Sequence, residues 1–415
     1  MIEIKKIKAR KVYNSRGEET IEVEVWAGEG YGRAAAPAGK SKGGKEVTYY
    51  PVGGVDESIK LINNELSKKL IGFDASNQEA VDDLLREFDG TEDFRKLGGN
   101  AAFATSLAIA LAAAKALGKP LFEYLGIVEE FRLPYPLGNV IGGGKHAGKG
   151  APDWQELLVS PIGARDIYSA VKANFMVHRR AGELLDKHLG GFTLGRGDEG
   201  AYAPPVNTEK GLEILKQAAD EISDELGFDI RVGVDIAASS LWNPKKEKYI
   251  YPTEGIELSR EDHMNRVAEW TDKFNLFYVE DPLDENDMDG FVELSKQIGS
   301  KTLICGDDLI VTRPEILEEA AEKKAVRAVI IKPNQVGLLT TAVKTIKVAH
   351  ERGIVPTVSH RSGEPPEGTL AQLAVAWGGK LLKAGVVGGE RVAKANELLR
   401  IGEVIGYDKM AVFRI

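Results

Sequence analysis

The sequence predicts an α/β protein in which a small α+β domain precedes a barrel of alternating strands and helices. In the second half of the chain, short apolar runs stop at or beside a charged residue, and the segments between them have helical periodicity. Such runs are typical of strands buried on both faces, and a spacing of roughly 25 to 45 residues suits a parallel barrel or a doubly wound sheet. The five runs are residues 232–234, 276–279, 303–305, 329–331 and 354–358.

The first part of the chain predicts a separate α+β cap domain, which we place at residues 1–127. Residues 2–25 alternate in polarity around a turn at 14–17, which indicates a β-hairpin. Residues 30–54 are rich in glycine and lysine without periodicity. A loop of that length is usually either a functional lid or disordered, and we expect a mobile lid. Helical patterns follow at about 55–70, 77–88 and 100–117.

Pro134 and Pro136 mark the passage into the second domain, which we place at residues 128–415. One further apolar strand is predicted to open at Glu156, and another is predicted to end at Lys383. A small cap leading into a barrel is the simplest architecture that contains these elements. Helices are predicted to begin at Thr208, Ser259, Pro314, Gly337 and near Glu364.

The composition argues against several classes of function. A net charge of -9 and a pI near 5.5 provide no basic surface for nucleic acid. The single cysteine, Cys305, cannot form an internal disulfide, which agrees with a reducing cytoplasm. The most apolar segment, residues 101–117, is interrupted by polar residues and is shorter than the roughly 20 residues of a membrane span. We therefore predict a cytoplasmic protein without a membrane span.

Three carboxylates, Asp235, Glu280 and Asp307, stand at or beside the ends of three successive predicted strands. The carboxyl ends of parallel barrel strands share one face, so these side chains are expected to converge. A single acid at a strand end is more often a helix cap or part of a solvated turn. Three in succession indicate oxygen ligands for Mg²⁺, and the sequence has no histidine or cysteine cluster with zinc spacing.

Lys332 follows the next strand and is the candidate general base. An amine near a divalent cation and away from water binds its proton less tightly, which brings its pKa toward about 7 to 8. The alternative is a lysine that only pairs with one of the acids. For Lys383, the alternative to a role in the site is a surface lysine whose stem lies along the protein.

A general acid is predicted on the other side of the site. Asp198 and Glu199 lie between glycines, and crowding raises the pKa of carboxyl groups so that one can stay protonated. A solvated turn is the alternative for this segment. Glu156 is a second candidate acid. His146 lies in a glycine-rich loop that could approach a substrate, although a histidine in a loop is more often simply exposed.

An anion-binding turn is predicted at Arg361 and Ser362, because a guanidinium offers a planar fork to phosphate or carboxylate. The alternative is an arginine that bridges neighbouring acids. Together with the metal, the base and the acid, this turn predicts removal of the α-proton of a carboxylic acid. That reaction needs cations for the enolate charge, a base for the proton and an acid for a departing hydroxide.

Short motifs along nearly the whole chain resemble those of the enolase family in type, order and spacing. They are Asn-Ser-Arg-Gly at 14–17, Leu-Gly-Gly-Asn-Ala at 97–101, His-Ala-Gly at 146–148, Gln-Glu at 155–156, Gly-Asp-Glu-Gly at 197–200, Asp-Ile-Ala-Ala-Ser at 235–239, Val-Glu-Asp-Pro at 279–282, Gly-Asp-Asp-Leu at 306–309, Lys-Pro-Asn-Gln at 332–335, Ser-His-Arg-Ser-Gly-Glu at 359–364 and Asn-Glu-Leu-Leu-Arg-Ile at 396–401. The resemblance implies an enolase-type (β/α)8 barrel with a ββαα start behind an N-terminal α+β cap. It also implies homodimers or octamers.

The resemblance further implies dehydration of 2-phosphoglycerate to phosphoenolpyruvate in glycolysis, and the reverse in gluconeogenesis, with two Mg²⁺ ions. Lys332 would take the C2 proton, Glu199 would protonate the leaving hydroxyl with help from Glu156, and His146 would close over the substrate. Arg361, Ser362, Lys383, His360 and Gln155 would contact this phospho-carboxylate. Asp235, Glu280 and Asp307 would hold the first Mg²⁺, and Ser41 of the lid would help to hold the second.

Several positions depart from the family pattern. The lid reads Gly-Lys-Ser-Lys-Gly at 39–43 instead of Gly-Ala-Ser-Thr-Gly, Asn14 replaces an aspartate, and the segment 383–391 is one residue short. They leave open a paralogue that acts on a different phosphorylated or hydroxylated carboxylate, and a catalytically silent binding protein on the same scaffold. An acid-sugar dehydratase or racemase is disfavoured, because it would have a Lys-x-Lys pair at the strand that carries Gln155 and Glu156.

Overall fold

The computed structural model describes residues 1–40 and 42–415. The cap opens with an antiparallel sheet of three strands in the order β1-β2-β3. The predicted turn joins the first two strands, and the Asn14 side-chain oxygen accepts the backbone N–H groups of Arg16 and Glu18 at 2.9 and 3.1 Å. The strands are β1 (Ile4–Tyr13), β2 (Glu19–Ala27) and β3 (Gly30–Ala35).

Strand β3 lies in the segment that we predicted to be a loop. Its glycines hide the alternation of polar and apolar residues that would indicate a strand. Glycine is required at these positions because a helix of the cap lies against the strand. A Cβ on Gly30 or Gly32 would stand 2.0 Å from a carbonyl oxygen of that helix. The cap helices are α1 (Gly54–Leu61), α2 (Ser67–Leu70), joined to α1 by a π-helical turn at Ile62–Leu66, α3 (Gln78–Asp89), α4 (Gly99–Ala116) and α5 (Leu121–Tyr124).

Helix α4 packs on β2 and β3 and forms the centre of the cap. It is long and apolar enough to cross a membrane by length and composition alone, but 83% of its residues are buried inside the fold. Burial on all sides explains why it is apolar all round. Within the described residues it is the one helix that meets this length and composition test.

The second domain is a closed barrel with strand order β4-β5-β6-β10-β11-β12-β13-β14, which confirms the predicted fold class. Its strands are β4 (Tyr135–Gly142), β5 (Glu156–Ser160), β6 (Arg231–Asp235), β10 (Tyr278–Glu280), β11 (Leu303–Gly306), β12 (Ala328–Ile331), β13 (Val355–Ser359) and β14 (Leu381–Gly385). A small separate sheet is formed by β7 (Trp242–Asn243), β8 (Lys248–Tyr251) and β9 (Ile256–Leu258). The helices are α6 (Ile167–Leu189), α7 (Thr208–Leu226), α8 (Arg260–Phe274), α9 (Met288–Ile298), α10 (Pro314–Glu322), α11 (Leu339–Glu351), α12 (Thr369–Ala376) and α13 (Gly389–Ile405).

Strand β5 runs against its neighbours. It pairs antiparallel with both β4 and β6, whereas the other neighbouring pairs of barrel strands are parallel. The first four barrel elements are therefore β4, β5, α6 and α7, the ββαα start that the family resemblance implied. This reversal places the first residue of β5, Glu156, beside Asp235 at the last residue of β6. An acid at an amino end of a strand thus reaches the face formed by the carboxyl ends.

Helix α12 begins later than predicted, at Thr369 instead of near Glu364. The Glu364 carboxylate accepts the backbone N–H of Arg361 at 2.7 Å and pairs with Lys394 at 2.7 Å, so it stabilises a loop and not a helix start. Two prolines follow it, and a residue before proline is disfavoured in helical geometry. The loop that carries Arg361 can therefore remain non-helical at the barrel mouth.

The cap is held against that mouth by backbone contacts. Ala38 and Gly363 exchange two backbone hydrogen bonds of 2.8 and 2.9 Å, and Val47 donates its N–H to the Gln335 carbonyl at 3.0 Å. Asn334 donates its side-chain amide to Asn100 at the start of α4. Ala38 and Val47 belong to the segment predicted to be a lid, so these contacts hold parts of that segment over the carboxyl ends of the strands.

Candidate active site

The carboxyl ends of the barrel strands and the tip of the cap enclose one polar cleft. Gly39 and Lys40 line it from the cap. Most of the residues predicted for the site line it from the barrel: His146, Gln155, Glu156, Glu199, Asp235, Asp307, Lys332, His360, Arg361, Ser362 and Lys383. Glu280 lies in contact with Lys383. Ser41 lies outside the described residues.

One side of the cleft, which we call the base side, contains Asp235, Glu280, Asp307, Lys332 and Lys383. The ammonium group of Lys383 is buried between two carboxylates, 2.9 Å from Asp235 Oδ2 and 2.8 Å from Glu280 Oε1. Burial opposes protonation of Lys383, but the surrounding carboxylates outweigh it and raise its pKa well above the ordinary value. Lys383 is therefore part of the site and not a surface lysine.

Lys332 donates to Asp307 Oδ2 on the same side. Burial is the largest single influence and works to lower the pKa of Lys332, but Asp307 and further acids such as Glu280 together leave the pKa above the ordinary value. This direction differs from the lowered pKa that we predicted from the sequence. The physical reason is that the chain alone provides a carboxylate partner for the amine, whereas the prediction assumed a nearby divalent cation.

Each of the three predicted metal ligands is oriented by a protein donor. The backbone N–H of Ala237 donates to Asp235 Oδ1 at 2.9 Å. The Tyr278 hydroxyl donates to Glu280 Oε2 at 2.7 Å, and the Gln335 amide donates to Asp307 Oδ1 at 3.0 Å. The second oxygen of each carboxylate faces a lysine ammonium. Three oriented hard oxygen donors fit a divalent cation of the Mg²⁺ type, which prefers carboxylate and water oxygens.

Two groups of side chains bring three potential metal ligands within 4.8 Å of one another in residues 1–40 and 42–415. One comprises Asp281, Asp307 and Asp308, and the other comprises His146, Glu156 and Glu199. Of the three predicted metal ligands, Asp307 is the one that lies in such a group. Asp235 and Glu280 instead both contact the ammonium group of Lys383. Asp281 accepts the backbone N–H groups of Asp307 and Asp308 at 2.9 and 2.7 Å, so it orients the turn that carries Asp307.

The opposite side, which we call the acid side, contains Glu156, Glu199, His146 and His360. All four side chains are buried. His146 Nδ1 lies 3.7 Å from Glu156 Oε1 and 3.5 Å from Glu199 Oε1, so it stands between the two carboxyl groups. Burial lowers the pKa of His146, which favours the neutral ring.

The two glutamates have opposite pKa shifts. Burial and the neighbouring charge of Glu199 raise the pKa of Glu156 well above its ordinary value. Burial also opposes ionisation of Glu199, but the polar groups around it, His360 first, then His146 and the guanidinium of Arg391, outweigh burial and hold its pKa well below the ordinary value. Glu156 Oε2 has no hydrogen-bond partner among residues 1–40 and 42–415. These opposite shifts make Glu156 the member of the pair that favours the protonated form.

The crowded pair of acids is not the one that the sequence suggested. Asp198 pairs with Lys40 of the cap at 2.8 Å, whereas the adjacent Glu199 accepts a hydrogen bond from Asn139 at 3.0 Å. The partner that crowds Glu199 is Glu156, which lies far away in the sequence. Glu199 is therefore crowded by a second carboxyl group, but that group is Glu156 and not Asp198. Its role as general acid stays a prediction.

In the turn predicted to bind an anion, Arg361 and Ser362 are hydrogen-bonded to other groups of the protein. Arg361 donates to both carboxylate oxygens of Glu46 at 3.0 and 3.1 Å, and also to Asn334 and the Tyr49 hydroxyl. Ser362 Oγ accepts the backbone N–H of Lys40 at 2.9 Å and an N–H of Arg16 at 2.7 Å. Arg361 therefore pairs with an acid, which was the alternative interpretation of this residue. The acid is Glu46, which belongs to the cap.

Sequence reasoning missed several residues that contact the site. Asn139 is the one with a recognisable signal, because a polar residue interrupts the apolar strand β4. Glu46 and Tyr49 gave none, since they meet Arg361 only after the cap folds over the barrel. Asp308 follows a predicted ligand, and burial with the charge of Asp307 raises its pKa to about 7.

Comparison with known proteins agrees with this architecture. Residues 4–125 match the family model described as "Enolase, N-terminal domain", and residues 130–413 match "Enolase, C-terminal TIM barrel domain". The chain is 48% identical over 408 residues to the enolase of Methanothermobacter thermautotrophicus, with 98% of each chain covered. It is 46% identical to the enolase of Methanosphaera stadtmanae (98% and 99% covered) and 45% identical to that of Archaeoglobus fulgidus (99% of each). The chain therefore belongs to the enolase family.

Proposed function

We propose that this chain uses Mg²⁺ and a lysine base to dehydrate 2-phosphoglycerate to phosphoenolpyruvate. As a member of the enolase family it is a phosphopyruvate hydratase, a hydro-lyase that needs a divalent metal. The observation that carries the finer proposal is the convergence of a carboxylate and lysine cluster and a proton-sharing glutamate pair on opposite sides of one cleft.

The metal ligands in this proposal are Asp235, Glu280 and Asp307, each already oriented by a protein donor. Ser41, with the substrate phosphate, would help to hold a second ion. Bound Mg²⁺ would supply the positive charge that stabilises the enolate as the C2 proton leaves.

Lys332 removes the C2 proton in this proposal. Its side chain is 13% exposed, so little bulk water competes for the amine. Its ion pair with Asp307 fixes the amine at the wall of the cleft, but it also favours the charged form. The amine must therefore give up its proton before it can act as a base, and a divalent cation bound by the neighbouring carboxylates would favour that loss.

Glu199 delivers the proton to the departing hydroxyl, with Glu156 as its store. The pair lies close enough to exchange a proton, and His146 between them contacts both carboxyl groups. Buried carboxyl groups that cannot both ionise are the usual way in which a site keeps an acid protonated near neutral pH.

The substrate phosphate binds Arg361 and Ser362 in this proposal, and the carboxylate lies near Lys383, with His360 and Gln155 in contact. Glu46 then has to share or leave the guanidinium of Arg361, because it engages both of its terminal nitrogens. We also propose the wider properties that the family resemblance implied: a homodimer or octamer in the cytoplasm, acting in glycolysis and gluconeogenesis, with domains at 1–127 and 128–415.

The test is turnover of 2-phosphoglycerate by the purified chain with Mg²⁺, with and without a chelator. We expect turnover that the chelator abolishes. Lys332→Ala should lower kcat by about 10²- to 10⁴-fold, the usual contribution of a positioned base. Lys344→Ala, which removes an exposed lysine from helix α11, is the control and should leave kcat unchanged.

No turnover by the wild-type chain at micromolar concentration would contradict the proposal, as would a Lys332→Ala variant equal to wild type. A panel of 2-hydroxy and 3-hydroxy acids, with and without phosphate, distinguishes the alternatives. A paralogue would use one of them in preference to 2-phosphoglycerate, and a silent binding protein would use none.

A further inference from the structure

Arg391, at the start of helix α13, is a fully buried cation that the proposed reaction does not use. The residue is 1% exposed. Its one carboxylate neighbour is Glu390, 3.3 Å from Nε, within residues 1–40 and 42–415. A buried guanidinium is expensive to desolvate, so its remaining donors are expected to have a specific purpose.

The terminal nitrogens of Arg391 donate hydrogen bonds to backbone carbonyls and to one side chain in two loops that form the site. Nη1 lies 2.6 Å from His360 Nδ1 and 2.7 Å from the Arg361 carbonyl. Nη2 donates to the Ser362 carbonyl at 2.7 Å and to the Asp198 carbonyl at 3.3 Å. One side chain thus ties the turn that carries Glu199 to the turn that carries Arg361.

The contact with His360 fixes the position of a proton. A guanidinium has only N–H donors, so His360 Nδ1 must be the acceptor. In a neutral imidazole the proton then sits on Nε2, which lies 3.2 Å from Glu199 Oε2 but is not aligned with it as a hydrogen bond. Burial lowers the pKa of His360 to about 4, so the ring is neutral near pH 7 and has one defined tautomer.

We propose that Arg391 is a positioning residue that sets the His360 tautomer and thereby presents an N–H donor to Glu199. The inference rests on the proposed function only for its kinetic consequence. The backbone N–H of Gly385 is a second and longer donor to Nδ1, at 3.4 Å, so without Arg391 the tautomer depends on this weaker contact alone. The other tautomer would turn its lone pair toward Glu199 and repel the carboxylate. Misplacing a reacting group by about 1 Å can lower a rate about 100-fold.

The first test needs no substitution. In nitrogen-15 NMR of protein labelled at histidine, with His360→Gln used to assign the signal, we expect an unprotonated Nδ1 and a protonated Nε2 at pH 7.5. A protonated Nδ1 in the wild-type protein would overturn the proposal. This result does not depend on any activity, so it is separate from a failure of the proposed function.

The second test is a double-mutant cycle. Arg391→Lys keeps the charge but loses the fork, and we expect kcat to fall about 10- to 100-fold with KM unchanged. If Arg391 acts through His360, the double variant Arg391→Lys/His360→Gln should be no slower than His360→Gln alone. Additive losses would overturn the proposal. Arg400→Lys, at an exposed arginine of the same helix, is the matched control and should keep wild-type kcat.

Discussion

The two sides of the cleft accommodate buried carboxyl groups in different ways. On the base side, Asp235 and Glu280 share the ammonium group of Lys383, and Asp307 has that of Lys332. On the acid side, Glu156 and Glu199 face His146 and His360, whose rings burial keeps neutral. The base side therefore places three carboxyl groups against two ammonium groups, and burial with the charge of Asp235 still raises the pKa of Glu280 well above its ordinary value. None of the four residues of the acid side carries an ammonium group, and burial with the charge of Glu199 raises the pKa of Glu156.

This difference bears on the proposed placement of a base and an acid in one barrel mouth. Lys383 marks the boundary, because it lies 2.9 Å from Asp235 but 3.4 Å from Glu156. An ammonium group in contact lowers the proton affinity of a carboxyl group, whereas a neutral imidazole adds no charge and can only take part in hydrogen bonds. The proposed division of roles would rest on this difference in neighbouring groups.

The largest expected effect concerns two reactions, dehydration and exchange of the C2 proton with solvent, which depend on different sides of the cleft. Glu199→Gln should lower dehydration about 10²- to 10⁴-fold, because the amide has no proton to deliver. It should nevertheless retain exchange of the C2 proton with solvent, since the base side is intact. Lys332→Ala should lose both reactions. Deuterium uptake into 2-phosphoglycerate, followed by NMR in D₂O, measures the difference.

The control for this experiment is the wild-type chain at the same Mg²⁺ concentration, which must show exchange before net dehydration is complete. If Glu199→Gln loses exchange together with dehydration, the two sides do not act separately. Exchange that persists in Lys332→Ala would place the base elsewhere and would remove Lys332 from the proposed mechanism.

A smaller effect is expected where the base side orients its carboxylates. Tyr278→Phe removes the hydroxyl that donates to Glu280 Oε2. Loss of a donor behind a metal ligand usually weakens metal binding about 10- to 100-fold, so we expect the Mg²⁺ dissociation constant to rise by that factor. Calorimetric titration of Mg²⁺ without substrate measures it independently of turnover.

Tyr135→Phe is the matched control. Its hydroxyl is also buried and donates to the Ala164 carbonyl at 3.2 Å, but Tyr135 begins β4 and lies at the opposite end of the barrel. The two variants lose the same group at similar burial. Equal Mg²⁺ affinity in Tyr278→Phe and wild type would show that the orientation of Glu280 does not matter for the metal.

The sequence predicted the base side better than the acid side, for a reason that lies in the barrel itself. Asp235, Glu280 and Lys332 each end or follow a parallel strand, and the topology alone brings such positions together. Glu156 reaches the same face only because β5 is antiparallel, which no local pattern revealed. The family resemblance supplied that information.

Contacts between the cap and the barrel could not be predicted from local patterns. The pairing of Glu46 with Arg361 joins residues 315 positions apart, and neither neighbourhood indicates it. Strand β3 was missed because its glycines, which the close approach of α4 requires, remove the alternation that reveals a strand. In both cases tertiary packing determines a feature that propensity and periodicity do not encode.

The smallest effect tests whether burial alone accounts for neutral histidines on the acid side. His263 does not line the cleft, and its Nε2 lies 2.7 Å from the Pro282 carbonyl and its Nδ1 2.8 Å from the Tyr251 hydroxyl. Burial lowers its pKa to about 4, below the ordinary value of about 6.5. Protonation therefore favours the unfolded chain, and stability is lost as pH falls from about 6.5 toward 4.

Each such histidine contributes a slope of about 1.4 kcal/mol per pH unit in that window. Urea unfolding at several pH values should show a shallower slope for His263→Gln, with turnover at pH 7.5 retained. His360→Gln should flatten the slope equally but lose turnover, because its ring also faces Glu199. His188→Gln, at an exposed histidine, should keep the wild-type slope. A slope unchanged in both buried variants would mean that these rings are not held neutral by burial, and the account of the acid side would fail with it.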